Sequence, residues 1–270
     1  MSIWSDSAGF DDAQAREHAA RLELRAQAES EVAVRDEYLG LLGVAPGERV
    51  LDVGCGSGAV TRTLAQWVAP GGCAVGVDTS PAILKIAGEL ANEARLGAMI
   101  EFKEGDCRAL PFPDASFDVV VAATTLSHVP DASRGLAEMV RVTRRGGRVG
   151  VFDVDGDLTM FAHPDRELTR KIVAAASDQM WVNGWLAREL PARFADLGIV
   201  NVRIRGFMPL ESGGYYAVRA ERSAELAIQT GAITADEKAH WLQELRAKIA
   251  GNRFLGGQLH LFVWGTRPSA

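Results

Sequence analysis

A glycine-rich segment and the acid before it are the residues best suited to chemistry. The apolar run Val50–Val53 contains Asp52 and leads into Gly54–Gly58, which reads Gly-Cys-Gly-Ser-Gly. Glycines at such a turn permit positive φ and let a ligand reach the backbone N–H groups. Dinucleotide-binding proteins space these glycines G-x-G-x-x-G, whereas the spacing here is G-x-G-x-G. The Asp52 carboxylate would repel a diphosphate but suits a ligand with an ammonium and a sulfonium group. A capping aspartate in a structural turn is the alternative.

A second acid, Asp78, ends the next apolar run and lies 20 residues after Gly58. At that place a carboxylate can accept hydrogen bonds from both hydroxyls of a ribose. The residues that follow, Thr79 and Ser80, could instead cap a helix that begins at Pro81. Both roles are compatible, because one residue can cap the helix while Asp78 binds the sugar.

A third acid, Asp106, completes a set of motifs in a fixed order. These are V-L-D-V-G-C-G-S-G, G-V-D-x-S, G-D-x-x-x-L-P-F-x-D-x-S-F-D and R-x-G-G-R, between about Pro46 and Asp153. The ordered set resembles the class I S-adenosylmethionine-dependent methyltransferases. Within them it is most similar to the group of ubiquinone and menaquinone biosynthesis methyltransferases, the type 11/25-like group.

The resemblance implies S-adenosylmethionine as the cofactor and assigns roles to individual residues. Asp106 would bind the adenine amine and the Cys107 backbone would contact the ring, although Asp106 could also be a turn aspartate. Asp52 and the glycines would surround the methionine end, and Thr124 would face the cofactor from the end of the fourth strand. The predicted cofactor site consists of Asp52, Gly54, Cys55, Gly56, Gly58, Asp78, Thr79, Gly105, Asp106, Cys107 and Thr124.

A histidine, His128, follows the fourth predicted strand and is the candidate general base, since an imidazole pKa near 6.5 suits proton removal at neutral pH. A structural hydrogen bond is the alternative role. Methyl transfer needs no nucleophilic side chain, because the cofactor carries the leaving group. Three alternating acids, Asp153, Asp155 and Asp157, could hold Mg²⁺. We expect them to be solvated loop acids and predict no metal.

Short apolar runs alternate with helical patterns from Val50 to Val154, which predicts an α/β fold with a parallel sheet covered on both faces. With the resemblance, the fold is Rossmann-like, with seven mostly parallel strands. Residues 1–45 are predicted as an N-terminal helical cap broken near Ser30. Residues 46–209 and 257–270 form the core, and residues 210–256 form a helical insertion before the last strand.

The helical insertion is the predicted lid or acceptor-binding region. Tyr215, Tyr216 and Trp181 are the candidate acceptor contacts, although each aromatic ring could instead belong to the core. Gly213-Gly214 and Gly256-Gly257 are predicted hinges or tight turns. Two arginines of the first helix, at positions 21 and 25, could reach the cofactor carboxylate, but we expect them at the surface.

Composition limits the partners. The chain has 270 residues, 47% of them hydrophobic, and a net charge of −6, which disfavours nucleic acid and favours a small-molecule acceptor.

Three cysteines are too few for a disulfide framework and predict reduced thiols in a cytoplasm. Met1–Asp12 lacks the pattern of a secretory signal, and no apolar run approaches the roughly 20 residues of a membrane helix. The oligomeric state stays open, with a homodimer as one option.

Two other functions remain open at this point. The chain could bind the cofactor without transferring its methyl group, as a binding protein or as a catalyst of another reaction on the same fold. An NAD-linked oxidoreductase is disfavoured by the glycine spacing and by Asp52.

Overall fold

A computed structural model describes residues 7–269. Residues 1–6 and 270 lie outside the described residues. The start of the predicted helical cap and most of the Met1–Asp12 segment, for which no secretory signal is expected, are therefore not covered.

The first two α-helices of the described residues are α1 (Asp12–Ala26) and α2 (Glu29–Leu42). Asp11 caps α1 in a capping box with Gln14, and Gly43 ends α2 at φ 69°. The break between the helices lies at residues 27–28, slightly before the predicted position at Ser30. The helix α1 packs against four other helices, which carries it over the carboxyl-end edge of the sheet described below.

The first half of the core alternates strands and helices as the sequence predicts. The elements are β1 (Arg49–Val53), α3 (Ala59–Val68), β2 (Cys73–Asp78), α4 (Pro81–Glu93), β3 (Ile100–Glu104), β4 (Phe117–Ala123), α5 (Ala132–Val142) and β5 (Thr143–Phe161). The strand β4 is buried along most of its length, as expected of a strand covered on both faces.

The second half is less regular. Its elements are α6 (Arg166–Met180), α7 (Leu186–Asp196), β6 (Val200–Phe207), β7 (Leu210–Glu211), α8 (Gly214–Gln229), α9 (Ala235–Ala250) and β8 (Gly256–Thr266). The strand β5 runs well past the predicted end at Val154, because its outer part pairs with Gly256 and Gly257 of β8. The prediction that this glycine pair forms a hinge is therefore wrong, since both residues lie within a strand.

Among the described residues the sheet contains eight strands, in the order β3-β2-β1-β4-β5-β8-β6, with the two-residue β7 paired to β8. The predicted seven strands are those of the continuous order, and β7 is the addition. The pairs from β3 through β5 are parallel, whereas β8 is antiparallel to both of its neighbours. The strand order reverses between β1 and β4, and ligands of such sheets bind outside the carboxyl ends at this reversal.

Three apolar clusters hold the molecule together. Two cover the faces of the sheet; one contains Phe112 and Phe117, and the other contains Tyr38 and Phe152. The third joins α6, α8 and α9 to the end of β5 and includes Trp241. We call these three helices the lid. Within the part of the chain that the structure describes, no helix has the length and apolar character needed to cross a bilayer.

Candidate functional site

A cavity of about 710 Å³ lies at the carboxyl ends of the parallel strands, where the strand order reverses. Its walls are the loops after β1, β2, β3 and β4 together with α1, α2, α8 and the end of α6. Most of the predicted site residues meet here: Asp52, Gly54, Cys55, Gly56, Asp78, Thr79, Gly105, Asp106, Cys107, Thr124, His128, Trp181 and Tyr215. Gly58 and Tyr216 are not among the lining residues.

The glycine loop requires glycine for two separate reasons. Gly54 and Gly56 have φ values of 71° and 51°, in the left-handed region. A Cβ on Gly54 would lie 2.2 Å from Thr125 Cγ2, and one on Gly56 would lie 2.7 Å from Leu22 Cδ1. Gly58, at φ 79°, starts α3 against Phe102, so its role is to shape the turn rather than to contact a ligand.

Asp52 is almost fully buried, and its Oδ2 accepts a hydrogen bond from the Thr61 hydroxyl at 2.6 Å. Burial raises the pKa of the carboxyl to about 7, against which the Thr61 hydrogen bond acts. The site therefore holds a carboxylate whose charge is costly in the absence of a cation. A ligand with a positive group would relieve that cost.

Asp78 links the glycine loop to the second strand. Its Oδ2 accepts from the Gly56 N–H at 3.0 Å and its Oδ1 from the Ser80 N–H at 3.1 Å. Burial raises the pKa of Asp78, and the backbone donors oppose the shift. Ser80 accepts from the Ile83 N–H at 3.4 Å and caps α4. The helix is therefore capped by Ser80, and Asp78 is not needed as its cap.

Asp106 follows β3 and begins a short 3₁₀ helix, Cys107–Ala109. Its carboxylate accepts from the Arg108 backbone N–H at 2.8 Å and from the Arg108 guanidinium at 2.6 Å. These hydrogen bonds lower the pKa of Asp106, so it carries a full negative charge at the rim of the cavity. Gly105 donates to the Asp78 backbone oxygen at 3.0 Å, which holds the β3 loop beside the end of β2.

Thr124, at the end of β4, has φ 52°, an unusual value for a β-branched residue. Its hydroxyl accepts from Arg25 Nη1 at 3.2 Å, and Arg25 also pairs with Glu31 at 3.0 Å. The Arg25 side chain is only 17% exposed, so the expectation of a surface arginine is wrong. The first helix crosses the mouth of the sheet and buries this residue, whereas Arg21 stays 46% exposed.

His128 lies on the short helix Leu126–His128 after β4 and lines the cavity. Burial lowers its pKa to about 3, and the neighbouring Arg219, His18 and Arg25 act in the same direction. The imidazole is therefore neutral at neutral pH and a weak proton acceptor. This favours a hydrogen-bonding role over that of a general base.

The three alternating acids lie within β5, and Asp153 and Asp155 are buried, so for these two the expectation of solvated loop acids is wrong. Asp157 is exposed. Asp153 is fully buried and accepts from the Ser127 N–H at 3.0 Å, which positions the loop that carries His128. Asp155 is buried against Arg188 at 2.7 Å, and Asp157 accepts from the Ser177 hydroxyl at 2.9 Å. Over residues 7–269, no group of three or more His, Cys, Asp or Glu side chains is arranged to hold a metal ion.

The lid contributes both aromatic and cationic groups. Tyr215 and Trp181 line the cavity, whereas Tyr216 is fully buried in the lid cluster with its hydroxyl 3.4 Å from Glu31 Oε1. The structure thus does not bring Tyr216 to the predicted acceptor position. Arg219 Cζ lies 4.9 Å from the Trp181 ring centroid.

Sequence reasoning missed the cationic part of this wall. The lining residues of α8 are Tyr215, Val218, Arg219, Arg222, Leu226 and Gln229. Their spacing of three and four residues is that of one helix face, which the sequence could have identified. The spacing alone does not say that this face points into a cavity.

Comparisons with known proteins agree with this geometry. Residues 51–151 match the family model described as a methyltransferase domain. An uncharacterised 37.1 kDa protein of transposon Tn4556 from Streptomyces fradiae is 31% identical over 240 residues, which cover 85% of this chain and 66% of the relative. A 2-phytyl-1,4-naphtoquinone methyltransferase from Synechococcus elongatus is 35% identical over 136 residues, which cover 50% of this chain and 58% of the relative.

Among solved structures, a phosphoethanolamine N-methyltransferase 2 from Haemonchus contortus superimposes with a TM-score of 0.60 and 16% identity. It was solved with phosphomonomethylethanolamine and S-adenosylhomocysteine, and the match covers 98% of this chain and 60% of that one. At this identity the likeness shows the fold alone. The chain spans between about half and two thirds of the length of the curated relatives it matches. The fold class and the resemblance drawn from the motifs are confirmed.

Proposed function

We propose that this chain, whose residues 51–151 form a methyltransferase domain, transfers a methyl group from S-adenosylmethionine to O, N, C or S of a small organic molecule. One observation carries the proposal. A backbone cradle at Gly54–Gly56 and the carboxylates of Asp52, Asp78 and Asp106 line one cavity at the reversal of the strand order. This arrangement suits a cationic adenosyl amino acid better than a diphosphate.

The residues of the cradle fit the cofactor in shape and in charge. Side chains at positions 54 and 56 would collide with Thr125 and Leu22, so the glycines keep the space above the loop open. Asp78 would hold the ribose hydroxyls and Asp106 the adenine amine. Asp52 would face the ammonium end of the methionine moiety. The Arg25 guanidinium, beside Thr124, would meet its carboxylate.

When bound, the cofactor supplies a methyl group on a positively charged sulfur that is a good leaving group. The chain has to orient the acceptor and keep water away. The lid and α1 enclose the cavity, and Trp181 and Tyr215 supply apolar wall on the acceptor side. His128 would orient a polar group of the acceptor by a hydrogen bond, since its low pKa makes it a poor base.

The proposal includes the binding partners of the protein and its location in the cell. The acceptor is a small molecule, which the quinone methyltransferase among the relatives supports, and a chain of net charge −6 is a poor match for nucleic acid. A cytoplasmic location agrees with the three free cysteines, Cys55, Cys73 and Cys107. The lid, whose helices α8 and α9 make up most of residues 210–256, covers the acceptor side. A homodimer would be compatible with this arrangement.

The test is calorimetric titration of the protein with S-adenosylmethionine, followed by incubation with candidate acceptors. We expect saturable binding and release of S-adenosylhomocysteine in equal amount to methylated product. A folded protein that does not bind the cofactor at millimolar concentration contradicts the proposal. Binding without any S-adenosylhomocysteine release over a broad acceptor panel would favour the alternative, a cofactor-binding protein or a non-methylating catalyst.

A further inference from the structure

We infer that the lid side of the cavity binds an acceptor with an anionic group, a carboxylate or a phosphate, through the guanidinium groups of Arg219, Arg222 and Arg35. The inference rests on the proposed function and specifies its substrate class. The acids Asp52 and Asp78 lie with the glycine loop, whereas Arg219 and Arg222 lie on α8 and Arg35 lies on α2, where its Nη1 donates to the Ala26 backbone oxygen at 3.0 Å.

Among the arginines of the cavity wall that the structure describes, some are paired with acids and others are not. Arg25 is paired with Glu31 at 3.0 Å, and Arg108 is paired with Asp106 at 2.6 Å. Arg219, Arg222 and Arg35 also line the cavity, and over residues 7–269 none of the three has an Asp or Glu oxygen within 4.0 Å. The acceptor side therefore holds an excess of positive charge that the protein does not neutralise.

Two of these arginines also have a buried N–H donor for which the described part of the chain supplies no acceptor. The Nε atoms of Arg219 and Arg35 are buried, and among the described residues neither has a hydrogen-bond acceptor. Leaving a buried donor without a partner is costly, and more so for a charged group. A ligand with anionic oxygens would supply the missing acceptors, and a planar guanidinium matches a carboxylate or phosphate with two parallel hydrogen bonds.

Local packing holds Arg219 ready for such a ligand. Its guanidinium lies over the Trp181 ring at 4.9 Å, and its Nη1 donates to the Tyr215 hydroxyl at 3.3 Å. Both contacts are with uncharged groups, so they restrict the side chain and leave its positive charge unpaired. Arg222 is three residues further along α8, so the two guanidinium groups emerge from the same helix face.

The experiment uses the full chain saturated with S-adenosylhomocysteine and two matched pairs of probes, titrated calorimetrically. The pairs are benzoate with benzamide, and phenyl phosphate with phenol, so that each anion has a neutral counterpart of similar shape. We expect at least one anion to bind about ten- to a hundredfold more tightly than its counterpart. The pair that shows the larger preference identifies the carboxylate or the phosphate.

Three variants assign the preference to the lid. Arg219→Gln should remove most of it, whereas Arg219→Lys should keep part of it, because the charge remains and the planar fork is lost. Arg246→Gln is the matched control, since Arg246 is a 64% exposed lid residue outside the cavity wall that pairs with Glu221. S-adenosylhomocysteine affinity reports whether each variant is folded. If Arg219→Gln does not fold, the comparison of wild type with Arg219→Lys decides.

The outcomes separate this inference from the proposed function. Failure of S-adenosylhomocysteine to bind contradicts the proposed function itself. Normal S-adenosylhomocysteine binding with no measurable preference for either anion overturns the anionic acceptor alone, and so does a preference that survives unchanged in Arg219→Gln. In either of these last two cases we would conclude that water solvates these arginines both with and without an acceptor bound.

Discussion

The Asp78 carboxylate accepts a hydrogen bond from the Gly56 backbone N–H, with 3.0 Å between Oδ2 and N. Gly56 belongs to the loop after β1 and Asp78 ends β2, so this bond joins two adjacent strand ends of the cavity. The second carboxylate oxygen accepts from Ser80 at 3.1 Å, which fixes the orientation of the carboxylate before a ligand arrives. Such preorganisation reduces the entropy lost on binding.

Replacement of Asp78 by Ala should weaken S-adenosylmethionine binding by about ten- to a hundredfold, because hydrogen bonds from the ribose hydroxyls to a charged acceptor are lost. Calorimetry measures the change. Asp12→Ala is the matched control, since the Asp12 side chain is 77% exposed and lies outside the cavity wall. Equal affinities of the two variants would contradict the ribose assignment.

Replacement of Gly56 by Ala should destabilise the protein by about 1–2 kcal/mol, because an L-residue would occupy φ 51°. The added methyl would also lie 2.7 Å from Leu22 Cδ1, so adding Leu22→Ala should relieve the steric part of the effect on cofactor binding. Urea unfolding and calorimetry give the two quantities. Gly88→Ala, where a Cβ meets nothing within 4 Å, is the control and should not weaken binding. A Gly56→Ala protein of wild-type stability and affinity would refute the assigned role.

Cofactor affinity should rise with pH between about 6 and 8. Burial raises the pKa of Asp52 to about 7, so in the free protein the carboxyl loses its proton in this range and then attracts a cation. Binding should release a proton, which titrations in two buffers of different ionisation enthalpy detect. Asp52→Asn should bind with little pH dependence. The assignment fails if this variant keeps the pH profile of the wild type.

Replacement of His128 by Gln should change how stability depends on pH. The folded-state pKa of about 3 lies below the ordinary value of 6.5, so between these pH values the unfolded chain binds more protons. The free energy of unfolding of the wild type should therefore fall relative to His128→Gln by about 2 kcal/mol between pH 7 and pH 5.

Urea unfolding at the two pH values tests the His128 prediction. Other shifted groups, such as His18 with a pKa lowered to about 4 and Asp52 with a pKa raised to about 7, occur in both proteins and cancel in the difference. Parallel curves for wild type and variant would show that His128 titrates normally in the folded state.

The sequence by itself determined the core and the cofactor side of the cavity. Asp52, Asp78 and Asp106 lie at or next to the ends of β1, β2 and β3, as their positions beside apolar runs predict. These features are local: apolar runs define the strands, and glycines define the turns. Because parallel strands have their carboxyl ends at one edge, knowing the strand ends was enough to bring the acids together.

Only the tertiary structure decided the acceptor side of the cavity and the burial of Arg25 and Asp153. Arg25 contacts Thr124, 99 residues away, and His260, 235 residues away, and these contacts bury a side chain whose neighbours in sequence indicate a surface helix. Asp153 is likewise buried and accepts a hydrogen bond from the Ser127 N–H, 26 residues away, and Arg219 reaches the cavity because the lid packs over it. Burial and charge pairing depend on which distant residues meet. The periodicity of a single segment identifies a helix face but not its partner.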